Sequence, residues 1–287
     1  MKQFPALTAM RAPMSTTHGG CLALWAVLVA SMCMAGLGCR DGGRSASLIQ
    51  HDPRWRHDHA GIVRGDTSAR ALALIFTGGD YGQGCEHILS TLESHGIKAS
   101  FFLTGAFLSH PEHRACVRRM VAQGHYVGPH SHAHLLYSPW EDRSKTLVGR
   151  RLFRQDLKKN MRELRALGAL RHDKVVFFIP PYEWYNQDHV RWANEMGVVL
   201  CNFTPGSGSQ RDWIPEGEKG FVPGTAIVQE ILVHEQQDRN GLNGFLLLLH
   251  LGAQRQDKVF LQLGPLVEEL LRRGYRFVRI DELLALP

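Results

Sequence analysis

Three histidines stand within five residues at His130-Ser131-His132-Ala133-His134, directly after a short apolar segment that ends in Gly128-Pro129. Neutral imidazole is a favoured ligand of zinc and similar divalent ions, and two imidazoles share one ion only when the backbone points both the same way. Pro129 ends an extended segment and Ser131 can cap the turn that follows. One helical turn then brings residues four apart onto one face. His130 and His134 are therefore the expected ligand pair, with His132 pointing away from it.

The elements that must position this pair alternate along the chain. Short apolar runs at about 71–76, 99–104, 125–128, 175–179, 197–202, 245–249 and 276–280 read as strands, and helical patterns fill 85–96, 111–123, 150–168, 186–196, 225–237 and 257–273. Strands and helices in this order imply a parallel sheet, open or closed into a barrel. The run Phe245-Leu-Leu-Leu-Leu249 has no polar alternation, as expected for a strand buried on both faces. Insertions at 131–149 and 203–224 break the rhythm, and the second, rich in glycine and proline, reads as a functional loop.

In such folds the loops at the C-terminal strand ends converge on one mouth. The residues that follow the strands include Thr77-Gly78-Gly79-Asp80, His130 and His134, Pro180-Pro181-Tyr182-Glu183-Trp184-Tyr185, Asn202-Phe203-Thr204, and His250. Carboxylates, histidines and aromatics are thus expected to meet at one end of the domain. Tyr182 and Trp184, with Pro181, offer apolar faces on which a sugar ring can stack.

The 287 residues suffice for a large core. Residues 1–39 carry Lys2 and Arg11, no acid, and an apolar run from Cys21 to Leu37 that suits the core of an export signal rather than a membrane span. The run ends in Gly36-Leu37-Gly38-Cys39, which resembles a bacterial lipoprotein cleavage box with its leucine displaced by one position. This predicts an exported envelope protein, lipid-anchored through Cys39, with a plain signal peptide or uncleaved anchor, and so a periplasmic or secreted protein, as the alternative. Residues 40–69, polar and aperiodic, read as a flexible tether, and residues 70–287 as the folded domain. Without Lys2 and Arg11 the 33 Lys and Arg fall to 31 against 27 acids, a net charge of +4. That excess, with no basic stripe among aromatics, argues against nucleic acid as a partner. Cys85, Cys116 and Cys201 remain after export, enough for one disulfide of undetermined pairing and one free thiol.

Over roughly residues 70–287 the chain resembles the polysaccharide deacetylases, which carry a NodB homology domain. The resemblance rests on Ala71-Leu-Ala-Leu-Ile-Phe76, Ile97-Lys-Ala-Ser-Phe-Phe102 with Thr104-Gly105, Gly124–His134, Phe178-Ile179-Pro180-Pro181-Tyr182 and Leu249-His250. It implies a distorted (β/α)7 barrel, metal ligation by His130 and His134, and a general-acid role for His250. The activity implied is metal-dependent removal of acetyl groups from N-acetylated or O-acetylated glycans or peptidoglycan, with zinc as the expected ion, by a monomer.

Two family features are missing. The first motif of the family carries two consecutive aspartates, a base and a metal ligand, where this chain has Thr77 and Gly78; its third motif begins with an arginine where this chain has Ile179. The base aspartate and the arginine form one ion pair in the family, and both are absent here. Loss of one partner alone would strand a buried charge, at about 3–5 kcal/mol, so the joint loss points to a rebuilt site. Asp80 is the expected replacement ligand, on the face of residue 78 but roughly 6.6 Å further along an extended chain. Glu183 is the expected replacement base. A catalytically silent carbohydrate-binding domain is the alternative that the missing charges suggest, and hydrolysis of another acyl bond is a third.

Overall fold

The computed structural model describes residues 43–172 and 174–285; the expected export signal over residues 1–39, with Cys39, lies outside these residues. The described chain opens with a helix over 43–50 (α1), followed by β1 (Arg56–Asp58) and β2 (Gly61–Arg64). The seven strands read from the sequence then appear as β3 (Ala71–Gly78), β4 (Ser100–Leu103), β5 (Tyr126–Pro129), β6 (Val176–Phe178), β7 (Val198–Leu200), β8 (Phe245–His250) and β9 (Arg276–Phe277). The principal helices are α2 (Cys85–Ser94), α4 (Arg114–Ala122), α5 (Arg150–Ala166), α6 (Gln187–Asn194), α7 (Gly224–Gln237) and α8 (Leu263–Arg272), with short α3 (Gly105–Ser109) and α9 (Ile280–Leu283).

The main sheet runs β1-β2-β8-β3-β4-β5 and curls. β3 pairs in parallel with β8 and β4, and β4 with β5. β6 and β7 form a separate parallel pair that completes the wall. Between β5 and β6 the ladder is replaced by the Tyr126 hydroxyl, which donates to the Phe177 carbonyl at 3.2 Å and accepts from its N–H at 2.7 Å. On the other flank a single bridge, Ile62 to Cys201, joins the β7 edge to β2. These two weak seams distort the barrel. β9 pairs only with Ala71 and Leu72 at the start of β3, so β2, antiparallel to β8, takes the place in the wall that β9 was expected to fill.

Period-two alternation sorts the strand residues into two cores. Leu72, Leu74 and Phe76, with Phe101, Leu103, Val176, Phe178, Leu247 and Leu249, face outward under the helices. Ala73, Ile75, Phe102, Phe177, Ile179, Val199, Cys201, Leu246 and Leu248 fill the lumen, joined by Ile280 and Leu284 around α9. Both faces of β8 are buried, as its unbroken leucines imply. Of the three cysteines among the described residues, Cys85 of α2 and Cys116 of α4 form a disulfide, and Cys201 is a buried free thiol.

Residues 43–64 are not a tether. Ala46, Ile49, Trp55 and Ile62 join the inner core. The Gln50 side chain donates to the Leu200 carbonyl and accepts from the Leu200 N–H, at 3.2 and 2.8 Å, satisfying the free edge of β7 as a neighbouring strand would. β2 escaped the sequence reading because it is four residues long and ends in a charge. Arg64 is nonetheless buried, because Asp238 (2.9 Å) and the carbonyls of Gly241 (2.8 Å) and Asn243 (2.9 Å) absorb its donors.

Candidate active site

The strand register brings three polar residues to the lumen where the apolar filling stops. Thr77 pairs in register with His250 across β3 and β8, each two residues beyond an inward residue, Ile75 and Leu248. His130 follows β5. Thr77 is buried, and its Oγ1 has no hydrogen-bond partner among the described residues.

His130 and His134 are brought together, with ring centroids 5.1 Å apart, but not by a helical turn. Residues 131–134 are non-helical, and Ser131 and His134 adopt left-handed φ of 71° and 50°. Asp156 of α5 stabilises this turn by accepting from Ser131 Oγ at 2.6 Å and from the N–H groups of His132 (2.9 Å) and Ala133 (2.8 Å). His130 Nδ1 lies 2.9 Å from the Ile179 carbonyl. A carbonyl only accepts, so Nδ1 carries the proton and Nε2 keeps its lone pair. Burial lowers both imidazoles, His130 well below its ordinary value and His134 to about 4, the latter despite the attraction of Asp80. Two neutral imidazoles, one oriented from behind, are donors of the type a borderline divalent ion takes, two of the three protein ligands of an ordinary catalytic zinc site. His132 turns outward, as expected, and its Nδ1 meets Glu163 at 2.9 Å.

Glu183 enters the lumen through a strained turn. Tyr182 and Glu183 both have left-handed φ, 59° and 53°, a conformation that costs about 1–3 kcal/mol per non-glycine residue and persists only where the surroundings enforce it. The Asn202 side chain helps by donating to the Glu183 carbonyl at 2.8 Å. The carboxylate Oε1 stands 3.8 Å from His130 Nε2, with the side chain only 13% exposed. Burial raises this carboxyl to about 7; the charge of His250 opposes the rise and that of Asp212 adds to it.

His250 is gripped by a residue that the sequence reading did not single out. Asp212, in a short 3-10 turn of the 203–224 loop, accepts from His250 Nδ1 at 2.6 Å and from its backbone N–H at 2.7 Å. Burial works against the imidazolium, but the Asp212 charge and hydrogen bond, with Glu183, outweigh it and raise the pKa. Nε2 is left free for acid–base work. The glycine- and proline-rich composition of the loop marked it as functional; nothing in the sequence distinguished Asp212 among its polar residues.

Two expected site residues lie elsewhere. Asp80 is exposed and lines a groove of about 450 Å³ with Tyr81, Gln83, His110 and His113. β3 stays extended through Gly78, and a Cβ there would meet Leu103, Leu251 and Phe107 of the outer core at 2.9 Å. Position 78 thus faces out of the barrel, and Asp80 lies beyond the strand in an exposed bend; its charge reaches His134, but among the described residues it completes no ligand group with the histidines. Among the described residues no three His, Cys, Asp or Glu side chains form a complete metal cluster. Pro181 is buried and shapes the turn instead of facing the mouth. Tyr182 remains 44% exposed at the rim, with its ring 4.4 Å from that of His134. Trp184 is half-buried and donates through Nε1 to the Pro139 carbonyl at 3.0 Å.

The chain is similar to known proteins over most of its described length. Residues 64–201 match the family model described as polysaccharide deacetylase. A peptidoglycan-N-acetylglucosamine deacetylase of Bacillus cereus is 25% identical over 220 residues, covering 75% of this chain and 88% of that protein. An uncharacterised 30.6 kDa protein of Geobacillus stearothermophilus is 39% identical over 221 residues, 77% and 73% of the respective chains. Among solved structures, a CE4 family pseudoenzyme from Bacillus anthracis superposes with a TM-score of 0.61 at 21% identity, covering 79% of this chain and 70% of the other.

Proposed function

The chain belongs to the polysaccharide deacetylase family, and from that membership we propose that it is a metal-dependent hydrolase that removes acetyl groups from N-acetylated polysaccharide or peptidoglycan. The observation that carries this reading is the meeting of three functions at one mouth: the paired imidazoles His130 and His134, the Glu183 carboxylate 3.8 Å from His130 Nε2, and the His250–Asp212 pair at 2.6 Å.

His130 and His134 would hold the divalent ion, zinc by the preference of neutral imidazole. When bound, such an ion lowers the pKa of water to about 7 and polarises the acetyl carbonyl. Glu183 takes a proton from the attacking water as the new C–O bond forms. His250, held protonated by Asp212, gives the proton of Nε2 to the amide nitrogen as the C–N bond breaks, so that acetate and a free amine leave. Tyr182 flanks the acetylated sugar at the rim. An alkoxide leaves with less help from an acid than an amine does, so the His250–Asp212 pair matters most for an N-acetyl substrate.

The test is acetate release from N-acetylglucosamine oligomers or peptidoglycan fragments with added zinc. Activity is expected in the wild type and abolished by His130→Ala; survival in that variant would overturn the metal role. Thr77 and Gly78, in place of the family's aspartates, favour a second reading as a catalytically silent glycan-binding domain. It predicts glycan affinity with no acetate released at high protein concentration.

The same reading takes the protein to be an exported monomer of the bacterial envelope, anchored through a lipid on Cys39. The Cys85–Cys116 disulfide supports an oxidising compartment, and among the described residues no helix is long and apolar enough to cross a membrane. Mass determination of the membrane-associated chain tests the anchor.

A further inference from the structure

Trp140 presents a large apolar ring, 55% exposed, at the rim of the mouth. It lies in the insertion over 131–149 that separates β5 from α5. Its ring meets Tyr182 edge-on at 5.8 Å and lies 5.6 Å from Trp184. Tyr182 in turn lies 4.4 Å from His134, so a continuous line of rings leads outward from the imidazole pair to Trp140.

The insertion is fixed on both sides of this residue. Before it, Tyr137 and Ser138 are fully buried, with Tyr137 stacked on His189 at 4.8 Å, and the Pro139 carbonyl accepts from Trp184 Nε1 at 3.0 Å. After it, the Arg143 guanidinium lies over Trp184 and Tyr185 at 4.5 and 4.6 Å and pairs with Asp58 at 2.8 Å. An exposed ring held this firmly forfeits little freedom when a ligand covers it. Pyranose rings carry an apolar C–H face that stacks on such a surface while their hydroxyls stay in water.

We infer that Trp140 is the platform for the sugar beside the one being deacetylated, and that the substrate is accordingly a chain of N-acetylhexosamine units that extends past the mouth. This rests on the deacetylase reading of the same site. Tyr182 serves the sugar at the reacting position, Trp140 serves its neighbour, and Trp184 orients Trp140 from behind.

Calorimetric binding and acetate release with a hexamer of N-acetylglucosamine and with the single sugar N-acetylglucosamine, on the wild type, Trp140→Ala and Trp140→Phe and with melting temperature measured alongside, test the inference. Trp140→Ala is expected to weaken the hexamer about three- to tenfold, the size of one lost stacking contact, and to change kcat/KM for the single sugar, which reaches only the reacting position, less than twofold. Trp140→Phe keeps most of the hexamer affinity, and the melting temperature stays constant because the ring is exposed. Unchanged hexamer affinity in Trp140→Ala, or equal losses for the hexamer and the single sugar, overturns the platform. If the wild type releases acetate while Trp140→Ala binds the hexamer normally, only the platform fails. If the wild type neither binds the hexamer nor releases acetate from it, the deacetylase reading fails and the platform with it.

Discussion

Replacing Asp212 by asparagine keeps the shape of the side chain and removes its charge. In the native arrangement one oxygen accepts from His250 Nδ1 at 2.6 Å and the other from the His250 N–H at 2.7 Å. An asparagine has a single acceptor oxygen, so one of these donors must face an NH2 group and is left unsatisfied. A hydrogen bond to a charged group is worth about 1.5–3 kcal/mol, and 1.36 kcal/mol corresponds to one pKa unit. The raised pKa of His250 is therefore expected to fall by about 1–2 units. The acid works only when protonated, so activity declines above its pKa, and lowering that pKa moves the alkaline limb of the kcat profile about 1–2 units toward lower pH. On the alkaline limb kcat drops about 10- to 100-fold while KM changes little, because Asp212 reaches the substrate only through His250. Acetate release measured from pH 5 to 9 reads the rate, and NMR titration of the His250 ring protons reads the pKa without relying on activity. An Asp212→Asn enzyme with kcat within twofold of the wild type and an unmoved alkaline limb would refute the pairing as the source of the acid.

Further outcomes follow from the same geometry. Asp80→Asn is expected to leave zinc stoichiometry and affinity within twofold of the wild type by metal analysis and calorimetry, because Asp80 faces the outer groove, whereas His130→Ala loses the ion. Cys85 and Cys116 are 31 residues apart, and the Cys85→Ser, Cys116→Ser double variant should lose about 3–4 kcal/mol in urea unfolding by loop-closure entropy. His189 is fully buried, with a pKa lowered to about 4 by burial. The folded state therefore binds fewer protons than the unfolded one between about 4 and 6.5. Its contribution, at most about 3 kcal/mol, is complete above pH 6.5 and is lost as pH falls toward 4; a stability profile that is no flatter in His189→Gln across that window counts against it.

Much of this protein is determined locally and so is legible in its sequence. Strands with both faces buried announce themselves as unbroken apolar runs, and a strand forms at each of the seven, although the last, expected over 276–280, is only Arg276–Phe277 and Ile280 starts α9. The βα alternation dictates which loops meet, so His130, His134, Glu183 and His250 gather at one mouth. Tertiary structure decided what depends on partners distant in the chain. Arg64 can end a buried strand only because Asp238 and two carbonyls lie across from it, and Gln50 can stand in for a strand only where the β7 edge is left open. Asp156 bends the histidine turn from 25 residues away, giving the expected pair by an unexpected route. Asp212 reaches His250 across 38 residues of separation, a match of positions that no local pattern encodes. Asp80 lies past the end of β3 at Gly78, in a bend that leaves it exposed on the outer groove; once a chain leaves the strand, alternation no longer sets which way a side chain faces, and tertiary packing decides it.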